Sequence, residues 1–236
     1  MCENPFQVPE QNLFHSMMVY SLAHPLVSCI HQQLLPQLHL KSLDPDHPVI
    51  VYSLPYPWQV LGTGNYAAVL FHPDYSDVVV KIYAPGRPGW QDEVEVYRRL
   101  GTHPLFSQCF YAEASFLVLK RLHGITLYDC LNQGLYIPKQ VILDIDQALA
   151  VARQQGLHPH DVHGRNVMMH GGRGIVVDVS DFLKSDDCSA WDDLKRAYYW
   201  VYRPLFSWVR IRIPYAYLDG LRTVYRLYRR HFLRRT

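Results

Sequence analysis

The chain uses cysteine sparingly and never in pairs: Cys2, Cys29, Cys109, Cys130 and Cys188 are odd in number and scattered over 236 residues. With no C-x-x-C and no Cys/His cluster of zinc spacing, a disulfide scaffold and a structural zinc module are excluded, and a reducing compartment, the cytoplasm, is expected. No apolar run approaches the roughly 20 residues that cross a bilayer. The longest, MMVYSLAHPLVSCI, is broken at His24-Pro25. The opening MCENPFQVPE has early acids and prolines instead of a basic stretch leading into an apolar one, so no cleaved leader is expected. Internal repeats are absent, as are the G-x-S-x-G elbow and any histidine pair at i, i+4 with a carboxylate, which sets aside hydrolases built on those motifs.

Acid is nearly missing from one end. Residues 194–236 carry 11 basic side chains and one acidic, a net +10, while residues 1–193 carry 12 basic and 20 acidic, a net −8. The overall +2 is a cancellation. With 49% hydrophobic and 13% aromatic residues there is enough apolar surface for a core, which excludes disordered, collagen-like and coiled-coil classes. The basic end is itself rich in Tyr, Trp, Phe and Leu, so it is expected to fold.

Along the chain, residues 11–35 have helical texture broken at Pro25, and DPDHP then reads as a linker. From Trp58 to Tyr83 the texture is β: WQVLGTGNYAAVLF and DVVVKIYA flank the turn composition HPDYS, which predicts an antiparallel hairpin. A helix follows over Gln91–Leu100, and FLVLKRL at 116–122 reads as another strand. Pro138 opens a longer helix, Lys139 to Gln155, with Val141, Ile142, Ile145, Leu149 and Ala152 at helical spacing and a stop at Gly156. Two short strands, NVMMH and GIVVDV, are joined by GGR.

Four features carry chemistry. Gly62-Thr-Gly64-Asn-Tyr-Ala67-Ala-Val69 lies between strands, where residues without bulk let backbone N–H groups approach a phosphate; the alternative is a hairpin turn that uses glycine for its backbone conformation. Lys81 ends the run VVVK, where an ammonium could hold phosphate oxygens or simply finish a strand. Glu93, on the helix that follows, could pair with it; Glu95 is nearer and faces another direction. Finally, Asp161-Val-His-Gly-Arg-Asn166 precedes the small hairpin and Asp178 follows it, so Asn166 and Asp178 should converge with oxygen ligands suited to magnesium on nucleotide phosphates. Asp161 could accept the proton of an attacking hydroxyl. Any one of these could instead cap a turn, but the ordered set is hard to explain that way.

That order resembles the protein-kinase-like superfamily over residues 58–200, and small bacterial atypical serine/threonine kinases most of all. RLGTHPLF looks like the segment after the αC helix, FLVLKRLHGITLYDCL like the hinge strand and its sequel, and QALAVARQQGLHPHD like the helix leading into the catalytic loop. The resemblance implies an α+β, two-lobed fold with a minimal C-lobe: residues 1–50 as a helical extension and linker, 51–119 as the N-lobe, and 120–236 as the C-lobe. It further implies an ATP- and Mg²⁺-dependent phosphotransferase in which Gly62, Gly64 and Val69 form the glycine loop, with Ala67 in place of its third glycine. Lys81 and Glu93 would be the phosphate-orienting pair, and Leu119, Lys120 and Leu122 the hinge around adenine. Asp161 would be the catalytic aspartate, and Asn166 and Asp178 the metal ligands. W-D-D-L-K, with Asp192 or Asp193, looks like the start of the central C-lobe helix.

Departures from the pattern shape the expectation. Pro159-His160-Asp161 stands where the family has H-R-D, and Asp178-Val179-Ser180 where it has D-F-G, with Asp181-Phe182-Leu183 competing just beyond. Only 15 residues separate Asp178 from Asp193, too few for a full activation segment with its peptide platform, a feature similar to RIO-type kinases. His163 takes the place of the usual catalytic-loop lysine, similar to aminoglycoside and choline kinases. The acceptor is therefore a protein hydroxyl or a small-molecule one, and a non-catalytic nucleotide-binding module is the third reading. In LRTVYRLYRRHFLRRT, Leu221, Val224, Leu227 and Tyr228 share one side of a helix and arginines the other. That pattern suits either an apolar face packed on the C-lobe with its arginines solvated, or a surface for an anionic partner such as nucleic acid or lipid.

Overall fold

The computed structural model describes residues 25–206 and 210–232. The expected helix before residue 25, and residues 233–236 of the basic end, lie outside them. The chain is α+β and forms two compact units: the described residues up to Gly101 with Ser107–Leu122, and Thr102–Phe106 with the described residues from His123 onward.

The first unit is built on a five-stranded antiparallel sheet: β3 (Gln59–Thr63), β4 (Ala67–Phe71), β5 (Val78–Tyr83), β7 (Phe116–Lys120) and β6 (Cys109–Glu113), in the order β3-β4-β5-β7-β6. The run expected as one limb of a hairpin therefore folds as two strands, β3 and β4, turning at residues 64–66. Strand period explains why β5 reads as unbroken hydrophobic sequence. Val80 and Ile82 enter one buried cluster with Leu70, Phe116 and Val118, while Lys81 and Tyr83 point to the other side, toward helix α1 (Trp90–Leu100).

Residues 25–50, read from the sequence as an extension and a linker, contribute Leu26, Ile30, Leu34, Leu40 and Val49 to that same cluster. Burying each of these larger side chains is worth about 2 kcal/mol against leaving it in water, which fastens the segment to the sheet. The DPDHP stretch turns the chain between β1 (His39–Lys41) and β2 (Ile50–Ser53), with Asp44 Oδ1 accepting the Asp46 N–H at 2.8 Å.

In the second unit, helices α2 (Leu127–Gln133), α3 (Lys139–Gln154), α4 (Ala190–Ala197), α5 (Arg203–Phe206) and α6 (Tyr215–Phe232) accompany a three-stranded sheet of β8 (Ile125–Thr126), β9 (Val167–His170) and β10 (Arg173–Val176). Helix α3 buries Val141, Ile142, Ile145, Ala148, Leu149 and Ala152, the stripe its spacing predicts. It lies so close to β10 that a Cβ on Gly174 would fall 2.5 Å from the Val141 carbonyl oxygen. The β9–β10 turn is Gly171-Gly172, both at positive φ (55° and 77°), as a two-residue hairpin demands. Asp144, buried in α3, ties the hairpin down: it accepts from Arg173 Nε at 2.7 Å and from the Gly174 N–H at 2.9 Å. The four described cysteines are free thiols. No helix of the described residues is long and apolar enough to cross a membrane.

Candidate active site

Lys81 leaves β5 on the face opposite the hydrophobic cluster, and α1 meets it with Glu93. Lys81 Nζ donates to Glu93 Oε1 at 2.9 Å, with the two side chains 11% and 1% exposed. Tyr83, two residues along the same strand face, donates its hydroxyl to Glu93 Oε2 and lies under the Lys81 ammonium, 5.8 Å from nitrogen to ring centre. Glu95 turns away into a surface cluster, bonded to Arg98 at 2.6 Å and Arg99 at 2.7 Å, and these arginines pull its carboxyl down to about 2. The spacing of two from Lys81 to Tyr83, which puts both on one strand face, is the sequence signal for the third member of this group.

The glycine-rich turn sits at the β3–β4 end of the same sheet. Gly64 closes it by donating to the Ala67 carbonyl at 2.9 Å, and a bulge displaces Gly62 to pair with Val69. Neither glycine has positive φ, and a Cβ on Gly62 would meet nothing within 4 Å. Backbone conformation and packing thus give no reason for glycine at 62, which removes the turn-conformation alternative there. At the expected hinge, Leu119 is buried in β7 while Lys120 is exposed. The N–H of Lys120 donates to the Gln108 carbonyl and that of Arg121 to the Asp77 carbonyl, both at 2.8 Å, so these two amides are already committed. Leu122 closes the first unit.

In the second unit the loop 161–166 is folded on itself. Asp161 adopts φ 54°, one of two non-glycine residues at positive φ among the described residues, a conformation more usual at functional loops than in regular structure. Its carbonyl accepts from Asn166 Nδ2 at 3.0 Å, and its carboxylate lies 3.7 Å from His163 Nε2. Burial holds His163 below the ordinary histidine pKa; Asp161 opposes that shift and Arg222 adds to it. Asn166 accepts from the Val177 N–H at 2.9 Å, so residues 166 and 178 sit at the open end of the β9–β10 hairpin. Asp178 Oδ1 accepts from the Ser180 N–H at 3.1 Å. Asp181, the competing carboxylate, pairs with Lys184 at 2.9 Å.

No cluster of three or more His, Cys, Asp or Glu side chains that could hold a metal occurs among the described residues. Asn166 and Asp178 nevertheless fit Mg²⁺, which takes one or two carboxylates and otherwise keeps water and phosphate oxygens. The amide nitrogen of Asn166 is spent on Asp161, which turns its oxygen end away from that bond.

Sequence reading missed one arrangement beside this loop. Arg165 stacks on Tyr128 of α2 at 4.1 Å, and both donate to Asp219 Oδ1 of α6 at 2.6 Å. Tyr215 stacks on Tyr128 and donates to Asp129 at 2.8 Å, and Tyr225 donates to Asp193 at 2.6 Å. The one signal was that Asp219 is the single acid of residues 194–236.

No protein-family model matches the chain. The protein named "Putative serine/threonine-protein kinase YrzF" of Bacillus subtilis (strain 168) is 30% identical over 178 residues, which is 74% of this chain and 76% of that protein. Two crystal structures of the Mycobacterium tuberculosis PknI kinase domain, one of them a mutant, align with TM-scores of 0.42 and 0.40 at 19% and 20% identity. The alignments cover 61% and 52% of this chain and span 64% and 57% of those kinase-domain chains.

Proposed function

Since this chain belongs to the protein-kinase-like superfamily, we propose that it is an ATP- and Mg²⁺-dependent phosphotransferase of atypical type, working in the cytoplasm and transferring phosphate to Ser or Thr hydroxyls of a protein. The observation that carries this reading is the burial of Lys81 with Glu93. Taking an ion pair out of water seldom stabilises a fold relative to apolar side chains of the same size, so the pair calls for another reason. Holding an ammonium at a fixed place for the α- and β-phosphates supplies one.

The remaining roles follow. Gly62, Gly64 and Val69 cover the nucleotide, and Leu119, Lys120 and Leu122 line its base. Asn166 and Asp178 would hold Mg²⁺, which would neutralise charge on the transferred phosphoryl group. Asp161 orients the acceptor hydroxyl and takes its proton. His163, whose protonated form burial disfavours, bonds beside the acceptor in place of the usual lysine. Asp161→Ala and Asp178→Ala should each abolish phosphate transfer from ATP to acceptors in purified protein. Activity surviving in both variants would refute the assignment, and failure of Mg·ATP to raise the thermal midpoint would point to a module that does not bind nucleotide in this way.

A small-molecule acceptor is the second reading, favoured by His163 in the catalytic-loop position and by the 15 residues from Asp178 to Asp193. A labelled metabolite with unlabelled proteins would decide for it.

A further inference from the structure

A carboxylate has two oxygens, and strand β5 supplies a donor to each of those on Glu93. Lys81 and Tyr83 are two residues apart, so both side chains leave the same face of the strand. Lys81 Nζ takes Oε1 at 2.9 Å, and the Tyr83 hydroxyl donates to Oε2. All three residues are withdrawn from water: Glu93, Tyr83 and Lys81 are 0%, 3% and 8% exposed. A glutamate held by one oxygen still pivots about its last side-chain bond and carries the ammonium with it. Held at both oxygens from one strand, the carboxylate has a fixed plane, and α1 a fixed height above β5.

Tyr83 has the supports of a fixed point. Its N–H donates to the Ser115 carbonyl at 2.8 Å, and its backbone pairs with Ala67 of β4. Its hydroxyl also lies 3.4 Å from the carbonyl of Gly89, the residue that begins α1. Gly89 has φ 102°, and a Cβ there would touch the tyrosine ring at 3.5 Å, so glycine lets the helix start directly against Tyr83. Trp90 Nε1 donates to the Phe116 carbonyl of β7 at 3.2 Å, which ties the same end of the helix to a second strand. Phenylalanine at position 83 would bury the same ring with no hydroxyl to satisfy, so the hydroxyl, like the ion pair, calls for a reason other than packing. We propose that Tyr83 is a positioning residue: by fixing the Glu93 carboxylate it fixes the place of the Lys81 ammonium that receives the α- and β-phosphates of ATP. The proposal rests on the nucleotide reading above and deepens it, by naming what holds the phosphate-orienting pair in register.

Equilibrium binding of Mg·ATP and of adenosine to the full chain provides the test, because adenosine has no phosphates for Lys81 to hold. Tyr83→Phe should weaken Mg·ATP binding about tenfold, the equivalent of one hydrogen bond to a charged group, while adenosine binding stays within about twofold of wild type. In a Glu93→Gln background the same change should add little, since Tyr83 acts through Glu93. Replacing Tyr83 with 4-aminophenylalanine, which keeps an N–H donor at the end of the ring, should restore most of the lost affinity. A purely structural role would weaken both ligands together. Four outcomes would overturn the proposal: equal losses for Mg·ATP and adenosine, an unchanged Mg·ATP affinity, a full effect of Tyr83→Phe in the Glu93→Gln background, or a Tyr83→Phe protein with no cooperative thermal transition, which would make the hydroxyl part of the fold. Wild-type protein that binds neither ligand would refute the nucleotide reading itself, and the role of Tyr83 with it.

Discussion

Lys81 and Glu93 meet at 2.9 Å with the glutamate side chain 1% exposed, so each charge is withdrawn from water against the other. Lys81→Met takes the ammonium away from a buried carboxylate that Tyr83 also bonds, and should cost about 3 kcal/mol in urea unfolding. Tyr83→Phe should cost less, about 1–2 kcal/mol. The double change Lys81→Met with Glu93→Leu should recover most of the loss while phosphate transfer stays absent, which separates the pair's structural cost from its proposed use.

Two glycines should respond in opposite ways. Gly174→Ala pushes a methyl group to within 2.5 Å of the Val141 carbonyl and against Ile145, and should destabilise by about 2 kcal/mol or more. Gly62→Ala meets nothing and should change stability by no more than about 0.5 kcal/mol. Its effect belongs in the Mg·ATP titration, where the added methyl group should weaken affinity if the turn covers phosphates. Equal affinity for both proteins would remove Gly62 from the nucleotide site.

Stability should fall with acid in two separate windows. The Arg173 guanidinium, with help from Gln140 and the Gly174 N–H, holds the Asp144 carboxyl at about 2 against an ordinary 3.8. A carboxyl lowered in the folded state lends stability that is whole above its unfolded value and drains away as pH falls from near 4 through 2. His163 is also lowered from 6.5; the unfolded chain takes up its proton first, so stability should begin to fall as pH drops below 6.5. Thermal midpoints against pH should show both slopes, with Asp144→Asn flattening the lower one and His163→Gln the upper. A His163→Gln profile that keeps the upper slope would mean that another group produces it.

The Arg165–Asp219 contact is half exposed on both sides. A double-mutant cycle between Arg165→Ala and Asp219→Ala should therefore return a coupling of only about 0.5–1 kcal/mol. Its larger consequence should be kinetic, a lower kcat with little change in the KM for ATP, since the pair braces the loop of Asp161 and not the nucleotide. A coupling of zero with unchanged kcat would show that the loop stands without it.

Sequence pattern revealed most where period and chemistry coincide. Val141, Ile142, Ile145 and Leu149 mark the buried side of α3 because nothing else competes for that spacing, and VVVK marks a central strand because both its faces are covered. Strand β6, Cys109–Glu113, carries no such mark: all five of its residues are half-buried, so no alternation shows. The segment 25–50 reads as peripheral in sequence because its apolar residues are spread across a helix and two three- or four-residue strands, and only the folded sheet gathers them. Helical period also groups Leu221 with Val224 but is silent on whether that side faces protein or solvent. Long-range partners decided it, through Leu218, Asp219 and Tyr225.

The loop of Asp161 is braced by a residue 54 positions further along the chain. During synthesis, Lys81, Glu93, Asp161, Asn166 and Asp178 have all been delivered before Asp219 exists. Every proposed catalytic group is then present in the nascent chain while Arg165 still lacks its counter-ion, so the Arg165–Asp219 bond is among the last that this loop can make.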